Sequence, residues 1–139
     1  MNTILKLIFP LVLFALTFSA CQQQSIEDLN AKWVNTHINK QTIETNAGFV
    51  APSLTIIVSE KSVKGTDGCN RYMGLIDSLS NQYIHFGPLA SSRMMCPNMK
   101  IADSYSQALY ETRYYKVSKD ILYLLDKDHK EILQFSKTQ

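Results

Sequence analysis

After residue 31, apolar and polar positions alternate with period two over most of the chain. Trp33–Ile38, Ser53–Val58, Tyr72–Ile76 and Gln82–Phe86 are short, rich in β-branched or aromatic residues, and bounded by Gly, Pro, Asn, Asp or Ser. That pattern predicts strands of an antiparallel sheet. Nearer the C-terminus, Arg113–Val117, Ile121–Leu125 and Glu131–Phe135 are separated by the turn-like segments Ser118–Asp120 and Asp126–Lys130, which predicts a three-strand meander. One segment changes period. After Pro97 the apolar residues Ile101, Tyr105, Ala108 and Leu109 recur at helical spacing with polar residues between them, so an amphipathic helix of about four turns is expected. Either Cys96 or Asn98 can cap it, with Pro97 or Met99 opening the first turn. The simplest architecture is mainly β with one helix: a small antiparallel β-barrel-like sheet closed or plugged by a single amphipathic helix.

The first twenty residues break this pattern. Lys6 precedes an apolar run, Leu7–Leu16, which is interrupted by Pro10 and too short to span a bilayer comfortably, as expected of a cleaved export signal. Phe18-Ser19-Ala20-Cys21 resembles the lipobox of bacterial lipoprotein precursors, although Phe18 stands where Leu is commonest. The resemblance implies a signal peptide over 1–20 and diacylglycerol on the thiol of Cys21, which becomes the new N-terminus. A polar tether over 21–28 and a domain over 29–139 follow. Two or three acyl chains hold a protein durably, at about 0.8 kcal/mol per buried methylene. The expected location is therefore the cell envelope, with the domain tethered to a membrane through the lipid on Cys21.

Length and charge narrow the partners. Of 139 residues, 119 remain after Ala20, enough for a single core. Charged residues at 19% and aromatics at 10%, interspersed along the body, indicate a folded domain rather than a disordered one. Net charge is +2, or +1 without Lys6, and the basic residues lie among acidic ones, so no nucleic-acid partner is expected.

Two blocks carry more information: Gly65-Thr66-Asp67-Gly68-Cys69-Asn70-Arg71-Tyr72-Met73-Gly74, and Phe86 to Met99 with Arg93-Met94-Met95-Cys96 at its centre. With Trp33 and the closing meander, they resemble the META domain of the heat-shock protein HslJ family over roughly Leu29–Phe135. Ser92 stands where that family usually has Thr. The resemblance implies a small β-barrel-like sheet with one helix, and a role in heat response and envelope-related drug resistance without an assigned reaction. Physically, the first block reads as a sharp turn in which Gly65, Gly68 and Asn70 tolerate positive φ. It lacks the Gly-Lys-Ser/Thr start of a phosphate loop. Ser91-Ser92-Arg93 offers hydroxyls and a guanidinium to an anion, or the hydroxyls satisfy local backbone.

Lipid on Cys21 leaves Cys69 and Cys96 as a pair outside the cytoplasm, either joined in a disulfide or packed as two buried thiols. Zinc on Cys69, Cys96 and His85 lacks a fourth ligand, and neither metal nor cofactor is expected. His37, His85 and His129 have no convincing catalytic neighbour, so the domain is expected to bind an unknown envelope protein or small ligand rather than to catalyse. The alternative is a thiol-dependent or hydrolytic envelope enzyme using Cys69 or Cys96 with His85. Recognition is expected at Asn70, Arg71, Ser92, Arg93 and Met94, because loops on a rigid scaffold usually carry it. Tyrosines such as Tyr105, Tyr110, Tyr114, Tyr115 and Tyr123 either line a groove or complete the core.

Overall fold

The computed structural model describes residues 24–44 and 48–138. In chain order the strands are β1 (Lys32–Ile38), β2 (Gln41–Thr42), β3 (Ser53–Ile57), β4 (Ser62–Thr66), β5 (Arg71–Leu79) and β6 (Ile84–Ser91). The helix α1 (Lys100–Glu111) follows, and then the meander β7 (Tyr114–Ser118), β8 (Ile121–Leu125) and β9 (Glu131–Lys137). They form one sheet of order β6-β5-β4-β3-β1-β9-β8-β7, with β2 paired on β1 and every pairing among the described residues antiparallel.

The sheet curls until its two end strands meet at one point only. The Ile84 amide donates to Arg113 O and the Tyr115 amide to Gln82 O, with Tyr83 bridged to Tyr114. Beyond that seam β6 and β7 diverge, and α1 packs against the concave side of the sheet, against β1 and β9. Ala102, Tyr105, Ala108 and Leu109 form the helix's buried stripe, against a core that includes Trp33, Leu54, Ile76, Phe86, Leu122, Leu133 and Phe135. Every buried hydrophobic among the described residues lies between Leu29 and Phe135, so the segment from Gln24 onward carries its own core.

Turn chemistry explains the register. Asn39 and Lys40 both take positive φ between β1 and β2, as a two-residue hairpin requires. Asp126 Oδ1 accepts from the amides of Asp128 and Lys130, holding the β8–β9 turn. The helix starts at Lys100. Asn98 Oδ1 accepts from the Lys100 amide at 3.0 Å, whereas Met99 occupies the cap position without a side-chain bond.

In three places the fold departs from or refines the reading of the sequence. The tether drawn over 21–28 overlaps the fold: the Gln24 side chain bonds to Asn81 O and the Val117 amide, and Ser25 caps a short 3-10 helix, Ile26–Leu29. Strand β4 lay hidden because its inner face is made by Val63 and Gly65, one apolar side chain and none at all. Gly65 is therefore a packing residue, since a Cβ there would run into Ser53 O and lie 2.7 Å from the Tyr72 hydroxyl. Of the three residues that tolerate positive φ in the Gly65–Asn70 turn, Gly68 uses it, at +99°. The signal segment and Cys21 lie outside the described residues.

Candidate binding site

The turn between β4 and β5 is built from within. Asp67 Oδ1 accepts from the amides of Cys69 and Asn70, and Thr66 Oγ1 donates to Asn70 O. Asn70 is buried, and its Oδ1 accepts from the Ser92 hydroxyl at 3.0 Å and the Met94 amide at 2.7 Å. Cys69 and Cys96 are joined, with Cα atoms 6.0 Å apart, so the same turn is stapled to the segment that leads into α1. The structure thus brings Cys69, Asn70, Ser92 and Met94 together as a structural node. Ser92 Oγ also accepts from the Arg71 amide, and Ser91 Oγ donates to Ser92 O, so these hydroxyls serve local backbone. Arg71, Arg93 and the Met94 side chain stay exposed beside it.

A concave site lies elsewhere. Where β6 leaves the seam, a groove of about 490 Å³ opens between its edge and α1, lined by Tyr72, Phe86, Pro88 and Leu89 on the sheet side and by Ser106, Leu109 and Tyr110 on the helix side. Its lining is mostly apolar and its size falls in the range of ligand sites. Tyr110 is 73% exposed at the rim, so its ring is available to an occupant of the groove. Two irregularities in the β5–β6 pairing shape this place: the register slips between Gly74 and Ile76 and back between Ile76 and Ser78. The second slip leaves Asp77 without a ladder partner and turns its carboxylate toward Gly87, where any Cβ would collide with it. Asp77 Oδ2 lies 3.8 Å from His85 Nδ1, with the two side chains 50% and 30% exposed.

Under the groove floor sits a polar contact sealed in the core. The hydroxyls of Tyr72 and Tyr105 are 2.7 Å apart, and both reach Ser53 O. Burial pushes both phenols above their ordinary range. The Tyr105 bond works against this for Tyr72, and for Tyr105 the neighbouring Tyr72 adds to the rise. Of the tyrosines considered for a groove, Tyr105 and Tyr115 are core, Tyr110 lines it, Tyr114 stacks on His129 with ring centroids 4.0 Å apart, and Tyr123 is half-buried. Among the described residues no three His, Cys, Asp or Glu side chains cluster to hold a metal.

Of the groove's lining, sequence points to His85 and Tyr110, while Asp77 and the β6 wall are not expected from it. The bulges that bring Asp77 to His85 depend on pairing between two strands, and no local motif announces them.

A curled antiparallel sheet plugged by one helix, with a stapled turn and an open groove, is the class of domain described here. The chain belongs to the META domain family, whose model matches residues 15–139. Three similar solved structures share the fold. A protein from Burkholderia xenovorans solved by NMR is 24% identical, with a TM-score of 0.64 over 82% of this chain and 86% of that one. A second NMR structure is 22% identical, with a TM-score of 0.63 over 81% of this chain and 94% of the other. A DUF4847 family protein from Bacteroides vulgatus, a crystal structure, is 13% identical with a TM-score of 0.56 over 83% and 100% of the two chains. No curated protein matches.

Proposed function

We propose that this chain is an envelope lipoprotein, lipidated on Cys21, whose META domain binds a ligand or partner in the groove between β6 and α1 and catalyses nothing. The sequence supports anchoring through the apolar segment followed by Ser19-Ala20-Cys21, and the HslJ-like blocks support an envelope role. The observation that carries binding is the groove itself: an apolar hollow of about 490 Å³ with an exposed tyrosine at its rim and a single carboxylate–imidazole pair at one end.

The absence of catalysis is supported by chemistry. Both thiols of the enzyme alternative are tied up in the Cys69–Cys96 bridge, so neither supplies the thiolate a cysteine nucleophile needs. Ser91 and Ser106 line the same groove as His85, yet the Ser91 hydroxyl donates to Ser92 O rather than to the imidazole.

The test is titration of the domain from Gln24 onward with 1-anilinonaphthalene-8-sulfonate. Saturable binding to one site, abolished by Ser106→Trp, is expected, because an indole at that exposed helix position fills the hollow without entering the core. Binding unchanged in Ser106→Trp overturns the assignment of the site. Hydrolysis of a p-nitrophenyl ester that disappears in His85→Ala overturns the non-catalytic reading. Labelling with a palmitate analogue that persists in Cys21→Ser overturns the anchor.

A further inference from the structure

The wall of the groove formed by β6 is a bare strand edge. The Ser92 amide donates to Arg71 O, so Ser92 faces β5. Alternation back along the strand places Ala90 and Pro88 on the same side, and turns the main-chain N–H and C=O of Leu89 and Ser91 away from β5, to the open edge of the sheet. Neither of those amides bonds to any other part of the chain among the described residues. Pro88 would spoil such an edge if its missing N–H faced outward, but it faces β5, where the register slips. Edge strands in soluble proteins are normally covered or blunted. This one is instead left beside an apolar hollow, and Leu89 and Ser91 themselves line it.

We infer that the groove takes an extended peptide that adds as a strand along Leu89–Ser91, its apolar side chains against Leu109 and Tyr110 and a lysine or arginine at the end nearest Asp77. This rests on the groove being the binding site and adds the class of ligand. A strand partner is the occupant whose main chain matches two successive outward-facing residues on one edge, giving affinity through backbone bonds and selectivity through alternate side chains. Charge complementarity sets the polarity. Asp77 is the one acidic residue lining the groove, half exposed, and its Oδ2 lies 3.8 Å from His85 Nδ1, beyond hydrogen-bond distance, which leaves the carboxylate free to meet a cation. An acyl chain would fill the hollow equally well but would use neither the outward amides nor Asp77.

A phage-displayed pool of random dodecapeptides, selected on the domain from Gln24 onward, separates these readings, with the anilinonaphthalene dye titrated in parallel. Enriched peptides are expected to alternate apolar and polar residues, carry a basic residue near one end, displace the dye, and bind about tenfold more weakly to Ser106→Trp and to Asp77→Asn. Methylating the peptide amides in one alternate set should cost about tenfold or more, while methylating the other set should cost little. If the dye binds but no peptide is enriched, or if enriched peptides ignore N-methylation, strand addition is overturned and the groove assignment stands. If neither dye nor peptide binds, both fail. A concentration-dependent doubling of mass that Ser106→Trp abolishes would show that a second copy of the chain takes the edge, and would likewise overturn the proposal.

Discussion

Removing the bridge between Cys69 and Cys96 should cost about 3.5 kcal/mol. The two residues are 27 apart in sequence, and the chain-entropy relation for a loop of that length gives roughly 12 cal/mol/K, or about 3.5 kcal/mol at 25 °C. The effect acts on the unfolded chain, because the folded node has other ties. Asn70 still accepts from Ser92 and from the Met94 amide after the sulfur link is gone, so the turn keeps its place. A Cys69→Ala/Cys96→Ala protein should therefore give nearly the same circular dichroism and lose stability in urea titration, with a slightly larger m-value because its unfolded state is more expanded. At about 2.1 cal/mol/K per residue, the melting temperature of a domain near 115 residues should fall by about 14 °C. A loss below about 1 kcal/mol would refute the loop-closure reasoning, and collapse of the fold would show that Asn70 alone does not hold the node.

Asn70→Ala removes a buried acceptor that holds both the Ser92 hydroxyl and the Met94 amide and should cost about 2 kcal/mol, whereas Arg71→Ala and Arg93→Ala should each stay within about 0.5 kcal/mol in the same urea assay. Gly65→Ala forces a methyl group into Ser53 O and toward the Tyr72 hydroxyl, and should lower stability by at least about 2 kcal/mol by calorimetry. Alkaline stability follows from the buried phenols. Tyr72 and Tyr105 keep their protons in the folded state above the ordinary value of 10.0, so their contribution is complete below pH 10 and is lost as pH rises beyond it. Each adds a slope of up to about 1.4 kcal/mol per pH unit, and urea titrations between pH 9 and about 12 should show a shallower fall in Tyr105→Phe than in the parent.

Period-two alternation located the strands that carry large side chains, and period-3.6 spacing located α1, because in both cases one face is packed against a continuous core. Strand β4 escaped, since its inward positions are Val63 and a glycine whose missing Cβ makes room for Tyr72. Strand β6 was cut short at Phe86 because Gly87-Pro88 reads locally as a turn, while in the fold that dipeptide sits at a register slip inside a longer strand. The Gly-Cys-Asn and Arg-Met-Met-Cys blocks are legible as a unit, and compartment and cysteine count leave Cys69 and Cys96 as the pair that the structure shows joined. Asn70 and Ser92 face each other and the backbone, and only the folded chain shows that they hold a turn. Of the groove only the tyrosine Tyr110 and His85 were legible, because its parts come from residues 72 to 110, and the pairing slip that aims Asp77 at His85 is a property of two strands together.

Photocrosslinking in cells that make the protein tests most directly whether the anchored domain binds through the groove. A benzophenone side chain would replace Ser106 on the helix wall, or Lys64 on the outer face of β4, in the full-length chain. Discrete adducts from position 106 in the membrane fraction, absent from position 64 and absent when Cys21→Ser releases the domain, are the expected result. Adducts of equal yield from both positions, or none from position 106, would contradict it.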